Sequence, residues 1–291
     1  MTTWLFVGGT RVDDAADGVD ALAAGRGLAY GDGLFETMRA VAGAIPWWPA
    51  HRARLLAGAA RLRIAPPPVR TLEDALARLL AQRPEGVIKL VLTRGRSGRG
   101  YAPAPEAAPV WLLSAGDAPP ARDALRLRWC DTRLSIQPAL AGLKHCNRLE
   151  QVLARGEWSD PSIDEGLMRD TDGHAVCATA GNLFALHGTV WSTPPVDRCG
   201  VAGICRGWAL DALPATVRAL SVAEIEAADA LILCNAVRGI LPVARLDDRT
   251  WAPHPAVAEA RRRLAAAHPA FPEQDERARN PAAPASPEGV P

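Results

Sequence analysis

Polar and apolar residues trade places over short intervals along this chain, and most of the resulting segments have the length of strands. Residues 4–8 form a short apolar run that predicts a first strand. In the run 28–39, LAYGDGLFETMR, a Gly-Asp-Gly lies between apolar flanks and predicts a tight bend leading into a strand. Leu55, Leu56, Ala59 and Leu62 share one face of a helix over 51–64, which Pro66 to Pro68 bring to an end. Thr71 is placed to cap a second helix over about 72–82, with Glu73 and Asp74 at its positive end. Residues 87–94, VIKLVLTR, are apolar on both faces except at Lys89. They predict a buried strand with its lysine snorkelling at a sheet edge. A Gly/Arg/Pro loop at 95–105 and a strand at 109–114 follow. Residues 115–122, AGDAPPAR, read as a linker between domains.

Beyond that linker, Leu125, Leu127 and Trp129 alternate with Arg126 and Arg128, the pattern of a half-buried strand. Leu149, Val152 and Leu153 form a helical stripe that begins just after Lys144, with Asn147 as the expected N-cap. A meander is predicted over 165–187, turning at Asp172-Gly173 and continuing through Val190 to Ser192. Residues 199–213 read as a Gly-rich turn into a helix near Ile204. Ser221 and Glu224 make a capping box, and 230–234 is a buried strand. A helix at about 255–267 closes the fold. From 273 onward, Pro, Ala and charged residues predict a disordered tail. The expected organisation is an α+β chain with a smaller N-terminal domain (1–114), a linker (115–122), a larger C-terminal domain (123–272) and the tail (273–291).

Composition narrows the function classes. Net charge is +1, with 48% hydrophobic and 22% charged residues, so nothing favours a nucleic-acid or membrane-surface partner. The start, MTTWLFVGG, lacks the basic and long apolar segments of a signal peptide, and no apolar run reaches 18 residues. Six cysteines in a chain of this length predict cytoplasmic thiols. There is no C-x-x-C pair, and Cys199 with Cys205 makes a poor basis for a zinc site, so no metal is expected. One count stands out. Of 33 basic residues only Lys89 and Lys144 are lysines, so any chemistry that needs a primary amine has two candidates.

Lys144 falls in the loop before a helix, where it is either a surface lysine or, with its pKa lowered, a Schiff-base residue. Other chemistries lack their patterns. There is no Gly-x-Ser-x-Gly elbow, His145 and Cys146 are adjacent and diverge, and no Gly-x-Gly-x-x-Gly opens a strand-to-helix unit. The glycine-rich helix start at 200–205 suits a phosphate, because backbone N–H groups and the helix dipole face the anion there. Arg54, near the first turns of its helix, either meets an anion or is solvated. A lysine, an arginine and a phosphate-type helix start together permit pyridoxal 5'-phosphate.

LAYGDGLFETMR, HRARL, LTRGRSGRGY, AGLKHCNRLEQVL, NLFAL, GVAGICR and ILCNAV occur in an order and spacing that resembles the fold-type IV pyridoxal-phosphate enzymes, over residues 4–265. That group includes branched-chain and D-amino-acid aminotransferases and the aminodeoxychorismate lyases. AGLKHCNRLEQVL and TRGRSGRGY look more like the lyases. The resemblance implies a homodimer, a cleft between two domains, and a folate-pathway lyase converting 4-amino-4-deoxychorismate to 4-aminobenzoate and pyruvate. A D-amino-acid or branched-chain aminotransferase and a degenerate cofactor-binding homologue are the alternatives. It implies Lys144 as the Schiff-base and proton-transfer residue and Arg54 as the phosphate ligand. Gly203, Ile204, Cys205, Asn235 and Ala236 would complete the phosphate cup. Thr37, Arg94, Tyr101, Asn147 and Arg148 would stand around the substrate, against competing readings of Asn147 as a cap, Tyr101 as loop packing and Arg148 as a surface charge.

One position departs from the family pattern. Five residues before the Asn of NLF, where the family places a Glu against the pyridine nitrogen, this chain has Cys177. A carboxylate there keeps the nitrogen protonated and strengthens the electron sink, and a neutral thiol does so less. Transamination should suffer most. A lyase whose product is aromatic has a second driving force.

Overall fold

The computed structural model describes residues 2–96, 100–104 and 106–272. The tail expected from 273 and part of the 95–105 loop lie outside the described residues. The first sheet contains β1 (Thr2–Val7), β2 (Thr10–Val12), β3 (Gly33–Ala40), β4 (Gly86–Thr93) and β5 (Val110–Gly116), in the order β2-β1-β5-β4-β3. Four helices accompany it: α1 (Ala15–Ala23), α2 (Arg26–Tyr30), α3 (Trp48–Leu62) and α4 (Val69–Gln82). One face of the sheet packs Trp4, Met38, Leu90 and Leu113 against Leu55 and Ala59 of α3 and Leu76 and Leu79 of α4. The opposite face of β3 and β4 carries Phe35, Thr37, Lys89 and Val91, partly open to solvent.

The second sheet holds β6 (Leu125–Trp129), β7 (Glu165–Arg169), β8 (Ala175–Ala178), β9 (Asn182–His187), β10 (Val190–Thr193), β11 (Ala215–Val217), β12 (Ala230–Asn235), β13 (Gly239–Leu246) and β14 (Arg249–Thr250). Six of these strands close on themselves through β9-β12-β13-β6-β7-β8, and the last contact of the ring is the pair Cys177 and Asn182. Leu125, Leu167, Leu183, Leu231, Leu233 and Leu241 form one core of this body. Its helices are α5 (Leu149–Arg155), α6 (Ile204–Ala212), α7 (Val222–Glu226) and α8 (Pro255–Ala267). Both α6 and α8 pack on a further core with Phe184, Ile232 and Phe271.

The two bodies are joined by more than the irregular stretch after Gly116. β3 is the free edge of the first sheet, and residues 144–146 run antiparallel beside it. Phe35 N donates to Lys144 O and Cys146 N to Gly33 O, each at 2.9 Å. At the other end of the same segment, Gly142 N donates to Gly200 O and Ala202 N to Gly142 O, both at 3.0 Å. Gly142 and Gly200 take φ of +79° and +84°, which a side chain would resist. The exposed edge is thus covered by the segment that carries the lysine.

Several local expectations are corrected. α4 starts at Val69 with Pro68 at its N-cap, so Thr71 is inside the helix. Proline is pre-organised for a helix start and served where a hydroxyl was anticipated. β4 is central, between β5 and β3, so Lys89 is on the exposed face of an inner strand and not at an edge. Asn147 does not cap α5. Its amide reaches back to Gly31 O at 3.0 Å, and Arg148 stands at the cap without a side-chain bond. The stripe Leu149, Val152, Leu153 exists, but it faces outward, 76%, 62% and 64% exposed, while Ala154 is the residue α5 buries. The capping box of Ser221 and Glu224, the helix start at Ile204 and the helix at 255–267 form as read. The short α1 and α2 were not foreseen. α1 is capped by the Asp14 carboxylate, and α2 ends at Gly31 in the left-handed region.

Candidate active site

A cleft of about 510 Å³ opens between the two bodies, walled by β3, the 144–148 segment, the ends of β7, β8 and β12, and the start of α6. A larger cavity of about 740 Å³ shares Val237, Arg238 and Leu241 with it but runs under α8 and contains neither lysine.

The ammonium of Lys144 stands 4.3 Å from the centre of the Phe35 ring. It is shielded by the cleft walls, and this desolvation, reinforced by the Arg54 charge and only partly offset by Glu36, lowers its pKa to about 8. The lysine is therefore a poised amine, about a tenth neutral at pH 7.

Arg54 reaches the cleft from the second turn of α3. Glu36 lies on the buried face of β3, 1% exposed, and holds the arginine through Arg54 Nε at 2.8 Å and a second bond from Nη2. Arg54 Nη1 donates to Ala202 O at 2.9 Å. His51, one turn earlier on α3 and fully buried, lies with Nδ1 2.6 Å from Glu36 Oε2. Burial alone would raise the Glu36 carboxyl. The hydrogen bonds from His51 and Arg54 outweigh it and hold the group ionised. Burial keeps His51 neutral, lowering its pKa despite the adjacent carboxylate. The pair is thus anchored on both sides, which matters because an unpartnered buried charge costs several kcal/mol. Neither Glu36 nor His51 was singled out in the sequence. The available signal was a carboxylate and a histidine at positions whose neighbours form a core.

The start of α6 faces the cleft with Gly203 and Ile204. Gly203 caps the helix with no side chain, leaving first-turn N–H groups for a ligand. A Cβ at Gly203 would lie 2.1 Å from Asn182 Oδ1, so a side chain there would displace the Asn182 carboxamide. Asn182 Nδ2 in turn donates to Val201 O at 2.9 Å and ties β9 to that turn. Asn235 and Ala236 complete this side. The Asn235 carboxamide accepts from Val237 N and Arg238 N, shaping the turn after β12. A lysine amine, a guanidinium and an uncapped helix start on one cleft fit a phosphorylated aldehyde.

Opposite them, Cys177 is 7% exposed and its thiol is pushed up to about 12 by burial, so it is neutral. Arg148 also faces the cleft, held by Nε on His145 O and Nη2 on Leu143 O, both at 2.9 Å, and its positive charge acts on the thiol. Glu165 is an unanticipated carboxyl in the wall. It accepts from Thr179 Oγ1 and from Gly166 N, and burial raises its pKa.

Of the residues named from sequence, the cleft brings together Lys144, Thr37, Arg54, Cys177, Gly203, Ile204, Asn235, Ala236 and Arg148. It does not gather the rest. Cys205 is fully buried with its thiol against Cys234, so it offers at most its backbone. Arg94 spends its guanidinium on Asp32 and on the carbonyls of Leu62 and Arg63, closing α3. Asn147 is occupied with Gly31, and Tyr101 is 83% exposed, its ring 5.3 Å from that of Tyr30.

The sequence profile of the amino-transferase class IV family matches residues 33–246. The chain belongs to this family. An aminodeoxychorismate lyase from Vibrio harveyi is 34% identical over 230 residues, covering 75% of this chain and 84% of the relative. A crystal structure of 4-amino-4-deoxychorismate lyase from Pseudomonas aeruginosa superposes with TM-score 0.83 at 39% identity, covering 91% of this chain and 98% of that one. A hypothetical aminotransferase from Mycobacterium tuberculosis, in its PLP-bound form, shares the fold at 20% identity and TM-score 0.74, covering 84% and 92%. All six cysteines are free thiols, and no helix among the described residues is long and apolar enough to cross a membrane.

The lowered pKa gives the site a measurable signature. With an amine-reactive reagent and peptide mapping, labelling at Lys144 should reach half its maximal rate near pH 8, well below the ordinary lysine value of 10.5. The sign follows from burial, which disfavours the ammonium and so frees the reactive amine at lower pH. Half-maximal labelling at the ordinary lysine value would contradict the desolvated placement.

Proposed function

We propose that this protein is a pyridoxal-phosphate-dependent lyase that converts 4-amino-4-deoxychorismate to 4-aminobenzoate and pyruvate, a step of folate biosynthesis. The observation that carries the reading is the pairing, in one cleft, of a poised lysine with a neutral thiol where the family pattern has a carboxylate, in a chain whose relatives include such lyases. Bound in this cleft, the cofactor supplies a carbonyl for the primary amine and an electron sink for the carbon beside it.

The chain's own groups then have distinct tasks. Arg54, held by Glu36, and the N–H groups at Gly203 and Ile204 would hold the cofactor phosphate. Asn235 and Ala236 close the cup. Lys144 is the proton-transfer group and would remove the proton from the ring carbon bearing the substrate amine. The C–O bond to the enolpyruvyl group breaks, the ring becomes aromatic, and the departing enolpyruvate takes a proton on its methylene carbon to become pyruvate. Thr37 and Arg148 border the space left for the substrate.

Cys177 favours this reading over the aminotransferase alternative. A neutral thiol near a guanidinium supports a protonated pyridine nitrogen poorly, and transamination has no aromatisation to compensate. The intact Lys144 and Arg54 favour an active enzyme over a degenerate homologue. The free thiols support a cytoplasmic protein. A homodimer is the assembly we favour, because Leu149, Val152 and Leu153 expose an apolar stripe beside the cleft.

Purified protein mixed with the cofactor should show its absorbance band, lost in Lys144→Ala, and should release pyruvate from aminodeoxychorismate without an oxo-acid acceptor. A colourless protein, or activity only with 2-oxoglutarate, would sink the reading. Cys177→Glu should change lyase turnover by less than about tenfold, roughly 1.4 kcal/mol of barrier, and a larger gain would point to another substrate. In light scattering the protein should have twice its 30.9 kDa chain mass, and Leu149→Glu should lower it; a wild-type monomer would rule the dimer out.

A further inference from the structure

The larger cavity takes no part in the chemistry assigned to the cleft. It encloses about 740 Å³, within the range of small-molecule sites. Its walls come from three parts of the chain: Arg39 near the end of β3, the linker from Pro119 to Ala124, and β13 with α8. The cavity therefore lies where the two bodies meet, and a molecule seated in it touches both of them and the stretch that joins them. Its apolar surface includes Trp251, Val257, Leu264 and Phe271, core side chains that also reach the cavity wall. Two of these carry flat aromatic rings, which favour a flat apolar partner.

The charge of this cavity is one-sided. Five arginines line it, Arg39, Arg122, Arg238, Arg261 and Arg262, against one carboxylate, Asp123. Arg122 is paired with Asp164, and Arg262 with Glu259. Arg238 differs from these. Its backbone N–H donates to Asn235, which fixes the turn after β12, while its guanidinium makes no hydrogen bond or ion pair among the described residues. The side chain is half-buried and lines both this cavity and the catalytic cleft. A half-buried guanidinium without a counter-charge presents a planar fork of donors that matches a carboxylate.

We propose that this cavity is a second binding site, separate from the catalytic cleft, for a small aromatic carboxylate. The ring covers the apolar wall that includes Trp251 and Phe271, and the carboxylate meets Arg238. The walls select this class. A bare inorganic anion would leave the apolar surface uncovered, and an uncharged ring would leave the guanidinium without an acceptor. The site stands whether the cleft performs a lyase or an aminotransferase reaction, because none of its contacts depends on that reaction.

The test is titration calorimetry of the cofactor-loaded, full-length protein with 2-naphthoate and with 2-naphthalenemethanol, which has the same ring system and no charge. The wild type should bind 2-naphthoate saturably. Ala258 lines the cavity from an exposed position on α8, so Ala258→Trp should fill the space and abolish binding of both probes while leaving the absorbance of the bound cofactor unchanged. Arg238→Met should weaken 2-naphthoate by about 10- to 100-fold, the range for a hydrogen bond to a charged group, and leave 2-naphthalenemethanol unchanged. Arg238→Lys should recover part of the loss. No saturable binding to the full-length chain would overturn the proposal, whether the space stays empty or another part of the chain fills it. Undiminished binding in Ala258→Trp would place the probe in the catalytic cleft and overturn it as well. So would an Arg238→Met variant that weakens both probes equally, or neither. None of these results bears on pyruvate release, so the lyase reading is tested separately.

Discussion

The site depends on a short piece of extended backbone, residues 142–146. Its carbonyl and amide groups bond at one end to the turn before α6 and at the other to the edge of β3. Three of the cleft's walls are therefore fixed to one another through main-chain hydrogen bonds, and Lys144 is at their junction. Two left-handed glycines, Gly142 and Gly200, let the strands of this junction approach. Arg61 adds a further stitch by donating to Ala141 O at 2.8 Å. A lysine on an ordinary loop would sample many rotamers. This one projects from backbone that is paired on both sides, over a ring that its own segment holds in register.

The electrostatics follow from that placement. Several cations converge on a small, poorly solvated space, and the balance is struck by one carboxylate on the core side of β3. Glu36 neutralises Arg54 and is itself steadied by His51, so the guanidinium is fixed without a solvent-exposed partner. The remaining positive field, together with desolvation, shifts Lys144 toward its neutral form. The same logic leaves Cys177 uncharged. A buried thiol ionises with difficulty even near a guanidinium, because the thiolate loses more solvation than Arg148 returns. The cleft thus has a reactive amine at one end and a weak hydrogen-bonding partner at the other.

Much of this was readable in the chain. Lys144 stood out because lysine is scarce, the α6 start because of its glycines, and the meander from β7 to β10 because its turns are marked by Asp-Gly and Gly. What could not be read was which residues meet across the fold. Arg94 resembled a substrate ligand by motif, yet it caps α3, because two carbonyls and Asp32 satisfy its guanidinium more completely than a cleft would. Glu36 and His51 alternate with core residues and gave no polar run to notice, although they hold Arg54 at the cleft. Lys89 was assigned to a sheet edge because its strand looked apolar throughout. The pairing of β4 between β5 and β3 moved it to the cleft face. The stripe on α5 was legible as a helical face, but helical periodicity reports an apolar face and not what covers it, and this one faces outward.

Cys177 departs from the family pattern at the position opposite Lys144, and the consequence to be tested is a property of the bound cofactor and not of the rate. The most direct measurement is the 15N chemical shift of pyridoxal phosphate labelled at its ring nitrogen and bound to the wild-type protein and to Cys177→Glu at neutral pH. The account predicts an unprotonated nitrogen in the wild type and a protonated one in the variant. A protonated nitrogen in the wild type would show that another group performs the carboxylate's task and would contradict the account.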